Sequence, residues 1–537
     1  MASQPPLIRA LQDPRRYPHP VSAVTVLETH ISWVLLTGDW AYKIKKPVDF
    51  GFVNFSTLER RRFFCHEELR LNRRLAPQIY CDVVGIGGTP EAPVPGAGEP
   101  FEYAVRMREF PQDARLDLRL QRGEVRPGDV DRIAEILARF HAAIERADPR
   151  SPYADPERIH RPVRENFAQI EPLLADPAAR ARLAALREWS EREYAARRGD
   201  LVARAAGGYI RECHGDLHLG NIAWVDGAPA IFDCLEFNPQ LRWIDVVSEY
   251  AFLDMDLEDR GRADLARRFV DAYLQQTGDY AGLALHRYYR VYRALVRAKV
   301  AALRSAQEWT DAPARSAALE TCRGYLELAA RAAAPARPFL LLTHGPSGSG
   351  KTTVTQTLLE RLGAVRLRSD VERKRMHRLA PLETSGSPPG GGIYTPEADD
   401  ALYGRLEGLA AHVLDAGHAV IADATFLERR RRLPFYALAR RLAVPVLVLE
   451  FTAPASVLRA RIEGRTRDAS EADLQVLERQ LERIEPPDRA EREAVAVIAA
   501  GPGDDAEGLV RRIRIHLDTR HAGPDTQSSA AVNSPER

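Results

Sequence analysis

Two stretches of the chain carry residue types and spacings that could handle phosphate. Gly345-Pro346-Ser347-Gly348-Ser349-Gly350-Lys351-Thr352 reads G-x-x-x-x-G-K-T and is followed by Thr353. Glycines at those positions let the backbone curl so that several N–H groups converge on one anion. Lys351 is expected to reach the β- and γ-phosphates of ATP, and the Thr352 hydroxyl to hold Mg²⁺. The second stretch is His214-Gly215-Asp216-Leu217-His218-Leu219-Gly220-Asn221. A carboxylate such as Asp216 could serve as a base or orient a hydroxyl. Asn221 comes round the loop to a cation, and Asp233, after Ile231-Phe232, supplies a further metal contact. Carboxylate and amide oxygens suit Mg²⁺, a hard ion.

The elements that must position these groups follow from local pattern. Phe339-Leu340-Leu341-Leu342-Thr343 is a short apolar strand before the glycine loop, and Thr353 to Leu362 reads as the helix after it. A helix N-terminus facing the phosphates adds favourable partial charge. Near the start, Ile31 to Leu36 and Trp40 to Lys45 flank a Thr37-Gly38-Asp39 turn as a hairpin. Lys43 and Lys45 share one face of its second strand, by the period of two. A charged helix from about Ser56 to Leu75 carries Glu67 and Glu68. Strands follow near 79–86 and 101–107, and helices dominate from Asp129, interrupted by a polar strand-like core at 209–235.

With 537 residues and 45% apolar side chains, the chain is long enough for more than one packed core. Basic side chains number 76 against 75 acidic, a formal charge of +1, so no global field recruits nucleic acid or a membrane surface. Five scattered cysteines without C-x-x-C spacing argue for free thiols rather than disulfides or zinc. The polar N-terminus and the absence of any long apolar run predict a cytoplasmic protein without membrane spans. The domain boundaries expected are a flexible arm at 1–20, a first domain at 21–331, a linker at 332–338, a second domain at 339–520 and a disordered tail at 521–537. Ala332-Ala333-Ala334-Pro335-Ala336-Arg337-Pro338 marks the linker.

The stretch His214–Asn221 matches the H-x-D-x-x-x-x-N loop of protein kinases. Lys43 falls where a kinase strand lysine grips the α- and β-phosphates, with Glu68 as its ion-pair partner and Glu67 as the fallback. His214 reads as a structural residue of the loop, and His218 as either structural or chemical. With Asp233 and the Phe140-His141 helix end, residues 20–330 resemble the aminoglycoside phosphotransferase/choline kinase-like family. That resemblance implies two lobes, an ATP cleft, and phosphoryl transfer to a small-molecule hydroxyl with Asp216 as base and Asn221 and Asp233 as metal ligands. There is no G-x-G-x-x-G before Lys43, and Cys234 stands where D-F-G would continue. Asp245 is expected to brace the catalytic loop. Glu249, Asp254, Asp256, Glu258 and Asp259 read as a solvated acidic helix, or as the acidic cleft a polycationic acceptor would want.

In the second domain, Asp370 after the 364–368 strand could face the phosphate loop, cap the helix that follows, or both. Ala419 to Thr425 is an apolar strand that places Asp423 in the Mg²⁺ shell opposite Thr352. Arg429–Arg432 reads as a solvated helix face or a polyphosphate or nucleic-acid patch. Arg459, Arg461, Arg465 and Arg467 precede a helix with a capping box at Ser470 and Asp473, the arrangement of a mobile lid. This half resembles the P-loop small-molecule kinases grouped with zeta toxins, gluconate kinase and polynucleotide kinase. By that resemblance Asp370 approaches the acceptor hydroxyl, Asp423 takes part in catalysis, and Arg373, Arg461, Arg465 and Arg467 serve substrate and lid. The domain order is similar to that of bifunctional aminoglycoside phosphotransferase/ATP-binding proteins. The fold class expected is an α+β bilobal kinase-like domain followed by an α/β P-loop domain with a parallel sheet. The partners implied are ATP, Mg²⁺ and a small-molecule hydroxyl acceptor. Two other readings remain open: a C-terminal module that regulates the first domain, and a kinase of nucleic-acid 5′-hydroxyls.

Overall fold

The hairpin predicted from alternation forms as Ser32–Leu36 and Trp40–Lys45, paired antiparallel with Val34 opposite Lys43. In the computed structural model, which describes residues 4–51, 53–307, 311–388, 390–464, 469–501 and 504–521, it lies inside a six-stranded antiparallel sheet. The strand order is Thr25–Glu28, Ser32–Leu36, Trp40–Lys45, Glu102–Arg108, Tyr80–Thr89, Ala92–Pro95. The pleat sends Ala41 to one face, against Cys65 of the helix Leu58–Asn72. Tyr42 and Ile44 go to the other. Lys43 and Lys45 have the parity of Ala41, so both point toward the helix that carries Glu68.

The opposite face explains why residues 4–20 are not a loose arm. Tyr42, Ile44, Trp33 and Leu35 leave an apolar surface that the helix does not cover. Pro6–Ala10 forms a short helix whose Ile8 is fully buried there, with Leu11 and Tyr17 beside it. The expected flexible segment is therefore a docked one, from Gln4 onward.

By contacts the chain divides into Met1–Arg260 with Tyr288–Ala330, and Gly261–Arg287 with Arg331–Arg537. The first unit adds to its sheet a helical part that includes Pro127–Ala143, Pro177–Ala206 and Val246–Asp259. Pro127–Ala143 buries Ile133, Leu137 and Phe140, the stripe read from its 3.6-residue period. The polar core at 209–235 resolves into the strand Ile210–Glu212 and the hairpin Ile222–Val225/Ala228–Ile231, with the His214–Asn221 loop between them.

The second unit holds a five-stranded parallel sheet in the order Ala364–Arg368, Ala419–Asp423, Leu340–His344, Val446–Phe451, Ala496–Ala500. Leu341, Ile421 and Leu449 form its core with Leu358 and Leu359 of the helix Lys351–Leu362 and Ile513 of the helix Ala506–His521. This division differs from the boundaries drawn from sequence at one segment. The helix Ala263–Thr277 packs with the second unit, and the reason is a buried cation. Arg366, on the sheet's edge strand, is 3% exposed and meets the carboxylate of Asp271 at 3.0 Å. Arg268 pairs likewise with Glu360 at 2.8 Å. No helix among the described residues is long and apolar enough to cross a membrane. The expected tail, from residue 522 on, lies outside the described residues.

Candidate functional site

In the first unit the strand, helix and loops bring the predicted residues together. Lys43 Nζ lies 2.8 Å from Glu68 Oε1 and 2.5 Å from Asp233 Oδ1. Burial pulls the lysine's pKa down, but Asp233 and Glu68 more than reverse this and hold it above the ordinary value. Glu67, the fallback partner, is committed elsewhere, to Arg70 and Arg242. Asp233 sits at φ +65°, with its N–H donating to Tyr80 Oη at 3.1 Å. Its side chain remains 46% exposed.

Asp216 and Asn221 are linked directly. Asn221 Nδ2 donates to the Asp216 carbonyl at 3.0 Å and to Oδ2 at 3.1 Å, which leaves the amide oxygen to serve a cation. His218 Nδ1 accepts from the Gly220 N–H, so Nε2 carries the proton and faces Asp216 Oδ2 at 3.4 Å. Burial would raise the Asp216 pKa, yet His218 and His214 outweigh it and the carboxyl stays below its ordinary range. His214 is structural, as its position in the loop suggested. It donates from Nε2 to the Phe232 carbonyl at 2.8 Å and accepts the Asp216 N–H at Nδ1, and burial lowers its pKa to about 4.

The acidic helix is solvated only at its end, where Glu258 is half-buried and Asp259 exposed. Glu249 and Asp256 are fully buried and Asp254 nearly so. Glu249 accepts the Gly215 N–H with both oxygens, and Asp256 accepts that of Leu219. These acids brace the His214–Asn221 loop, while Asp254 pairs with Arg290. Asp245 has a different task from the one expected. It caps the helix Val246–Asp259 and binds Arg204 through both oxygens, at 2.7 and 2.8 Å. Lys45, which shares a face with Lys43, has a role that the strand pattern alone does not reveal. It is fully buried, 2.7 Å from Glu68 Oε2 and bonded to Glu236. Its parity with Lys43 was the available signal.

In the second unit the glycine loop wraps the start of the helix Lys351–Leu362. Gly345 lies at φ +146°, and a Cβ there would come within 2.6 Å of the Phe451 carbonyl oxygen. Gly348 and Gly350 also have positive φ. Lys351 Nζ donates to the carbonyls of Gly345 and Pro346 at 2.9 and 2.7 Å. A cavity of 740 Å³ opens here, lined by Lys351, Thr352, Thr353, Asp370, Asp423 and Arg461 among others. Asp423 is 5% exposed and accepts from Thr355 Oγ1 at 3.2 Å. Thr355 lies three residues after Thr352, on the same helix face.

Asp370 occupies the first turn of the helix Ser369–Met376, and Arg368 stands at its N-cap, so the capping alternative does not hold. Arg373 is buried, 2.6 Å from Asp399, and stacks on Tyr394. Arg461 donates to the Gly348 carbonyl at 3.2 Å. Arg465 and Arg467 lie outside the described residues. The helix Leu474–Arg483 is capped by Asp473, whose carboxylate accepts the Val476 N–H at 2.8 Å, rather than by Ser470. Arg429–Arg432 is not one surface. Arg432 is fully buried and bidentate with Glu491 at 2.8 Å, whereas Arg430 is exposed and pairs with Glu428.

Both donor sets fit nucleotide and a divalent cation. No cluster of three or more acidic, histidine or cysteine ligands occurs among the described residues. A cation held by one or two protein oxygens, with phosphates and water completing its shell, is what Mg²⁺ accepts.

Comparison with known proteins finds two families along the chain, the first of which extends through residues 261–286 of the second unit. Residues 65–286 match the Phosphotransferase enzyme family, and residues 340–487 match an AAA domain. The proteins Mb2027c of Mycobacterium bovis and Rv2004c of Mycobacterium tuberculosis, both described as uncharacterized, are 34% identical over 466 residues. That span covers 85% of this chain and 90% of each relative. A choline/ethanolamine kinase family protein from Mesorhizobium loti is 12% identical with a TM-score of 0.36, covering 59% of this chain and 92% of its own. A sugar kinase from Janibacter sp. is 23% identical with a TM-score of 0.26, covering 34% and 95%. The chain belongs to the family of these mycobacterial proteins, as an ATP-dependent kinase that joins a phosphotransferase-family domain to a P-loop kinase domain.

Proposed function

We propose that the protein carries two ATP·Mg²⁺ sites, each transferring the γ-phosphoryl group to a hydroxyl of a small molecule. In the first site Lys43 would grip the α- and β-phosphates, and Asn221 and Asp233 would hold a metal that neutralises charge on the transferring group. Asp216 orients the acceptor hydroxyl. As the acceptor oxygen bonds to the γ-phosphorus and the bond to the ADP oxygen breaks, Asp216 takes the released proton. A carboxylate of lowered pKa suits this role, because phosphoryl transfer asks for positioning before basicity. In the second site Lys351 and the loop amides would hold the phosphates, Thr352 and Asp423 the metal, and Asp370 the acceptor. Arg373 and Arg461, with Arg465 and Arg467, serve substrate and lid.

The observation that carries this reading is that Lys43 Nζ lies 2.8 Å from Glu68 and 2.5 Å from Asp233, three residues from separate parts of the sequence. The test is ATP consumption by the full chain against a panel of sugars, sugar acids, aminoglycosides and nucleosides. Asp216→Asn should abolish one set of acceptor-dependent activities and Lys351→Ala another. If Lys351→Ala alters only the rate of the Asp216-dependent reaction, the second site regulates instead of phosphorylating. Phosphorylation of an oligonucleotide 5′-hydroxyl would replace the small-molecule reading of that site.

A further inference from the structure

Glu68 has two lysine partners, and they differ in what surrounds them. Lys43 bridges Glu68 Oε1 and the half-exposed carboxylate of Asp233. Lys45 is sealed: it contacts Glu68 Oε2, bonds to the buried Glu236, and lies 4.9 Å from the centre of the Phe55 ring. Glu68 itself is fully buried. If Lys43 were its sole counter-charge, the move of Lys43 onto a nucleotide's phosphates would strip a buried carboxylate of its partner, a change that strongly opposes binding.

We propose that Lys45 is a positioning residue whose ammonium acts as a standing counter-charge for Glu68, so that Lys43 can pass between the protein's carboxylates and the phosphates of a nucleotide. This rests on the reading of Lys43, Asn221 and Asp233 as a nucleotide–metal site. Lys45 keeps Glu68 ionised and in place, and Glu68 keeps the Lys43 strand aligned while Lys43 lengthens or breaks its own contacts. Glu236 holds Lys45 from the far side and is itself the less favoured acid. Burial, with the charge of Glu68, outweighs Lys45 and raises its pKa, whereas Lys43 and Lys45 overcome burial at Glu68 and lower it.

Lys45→Met and Glu236→Gln therefore act differently although they break the same ion pair. Without Lys45, Glu68 draws on Lys43 alone and competes with the phosphates for it. Without the Glu236 charge, Lys45 belongs to Glu68 entirely and Lys43 is released. The experiment is calorimetric binding of Mg²⁺ with a non-hydrolysable ATP analogue to the full chain carrying Lys351→Ala, which silences the second site. Lys45→Met should weaken binding about tenfold or more, the scale of losing one charge-assisted partner. Glu236→Gln should leave it unchanged or tighter, and Lys45→Arg should restore it. The double variant Lys45→Met/Glu236→Gln leaves no orphaned Glu236, which guards against a fold lost through Lys45→Met alone, and its affinity should remain low.

A merely structural rivet makes the opposite forecast: Glu236→Gln weakens binding as much as Lys45→Met, and the double variant is no worse than either. That result overturns the proposal, as does unchanged affinity in Lys45→Met. Asp233→Asn separates the two levels. If the parent binds no nucleotide, or binds it equally well with Asp233→Asn, the underlying site reading fails and the role of Lys45 falls with it.

Discussion

Glu249→Gln should change how the stability of the first unit depends on pH. Glu249 is fully buried and accepts the Gly215 N–H at 3.0 and 3.3 Å. Burial raises its pKa from 4.5 to about 7, against the opposing pull of Arg293 and that N–H. The fold therefore binds a proton that the unfolded chain releases. Its contribution is complete below pH 4.5 and is lost as pH rises through about 7. At about 1.4 kcal/mol for each tenfold change in acidity, the span corresponds to about 3 kcal/mol. Glutamine keeps the shape and an acceptor oxygen but never ionises. Relative to wild type, the variant should gain about 3 kcal/mol of stability between pH 4.5 and 8, whatever constant offset it carries. All six tryptophans lie at or before residue 309, and none falls in 261–287 or 331–537. Tryptophan fluorescence during urea unfolding thus follows the first unit by itself. A variant-minus-wild-type difference that stays flat across this pH range would refute the assignment of a proton to Glu249.

Further outcomes concern the second unit. Arg432→Met leaves Glu491 buried without its bidentate partner and should cost about 3–5 kcal/mol in far-UV circular dichroism melts, without moving the tryptophan transition. Asp271→Ala strands Arg366 in the edge strand and should destabilise the same unit by a similar amount, about 3 kcal/mol; a fragment beginning at residue 331 should be weaker still. Gly345→Ala places a Cβ against the Phe451 carbonyl at a φ of +146°, and should abolish nucleotide binding by the second unit while that of the first persists.

Much of the molecule could be read from residues because its signals are local. The hairpin at 32–45 follows from alternation, and the glycine loop from a spacing that few other structures need. The ordered set Lys43, Glu68, Asp216, Asn221 and Asp233 pointed to one cleft, and their side chains do meet in pairs. Features that depend on the partner of a charge were not legible. Glu249 and Asp256 look like any acidic helix surface until the loop amides they accept are known. Arg432 looks like its three exposed-reading neighbours until Glu491, 59 residues away, is seen to hold it. Asp271 pairs with Arg366 across 95 residues, so no window of sequence could place its helix in the second unit. The packing of the N-terminal segment depends on a partner surface in the same way. Its composition suggests an arm, and only a bare sheet face gives Ile8, Leu11 and Tyr17 somewhere to go.

The central claim is that one chain holds two independent nucleotide sites, and binding stoichiometry tests it most directly. Calorimetry with Mg²⁺ and a non-hydrolysable ATP analogue should count two nucleotides per wild-type chain. Asp233→Asn should remove or greatly weaken one and Lys351→Ala the other, with the remaining affinity in each case unchanged, and the double variant should bind none. One nucleotide per wild-type chain, or the loss of both through either substitution, would contradict the account.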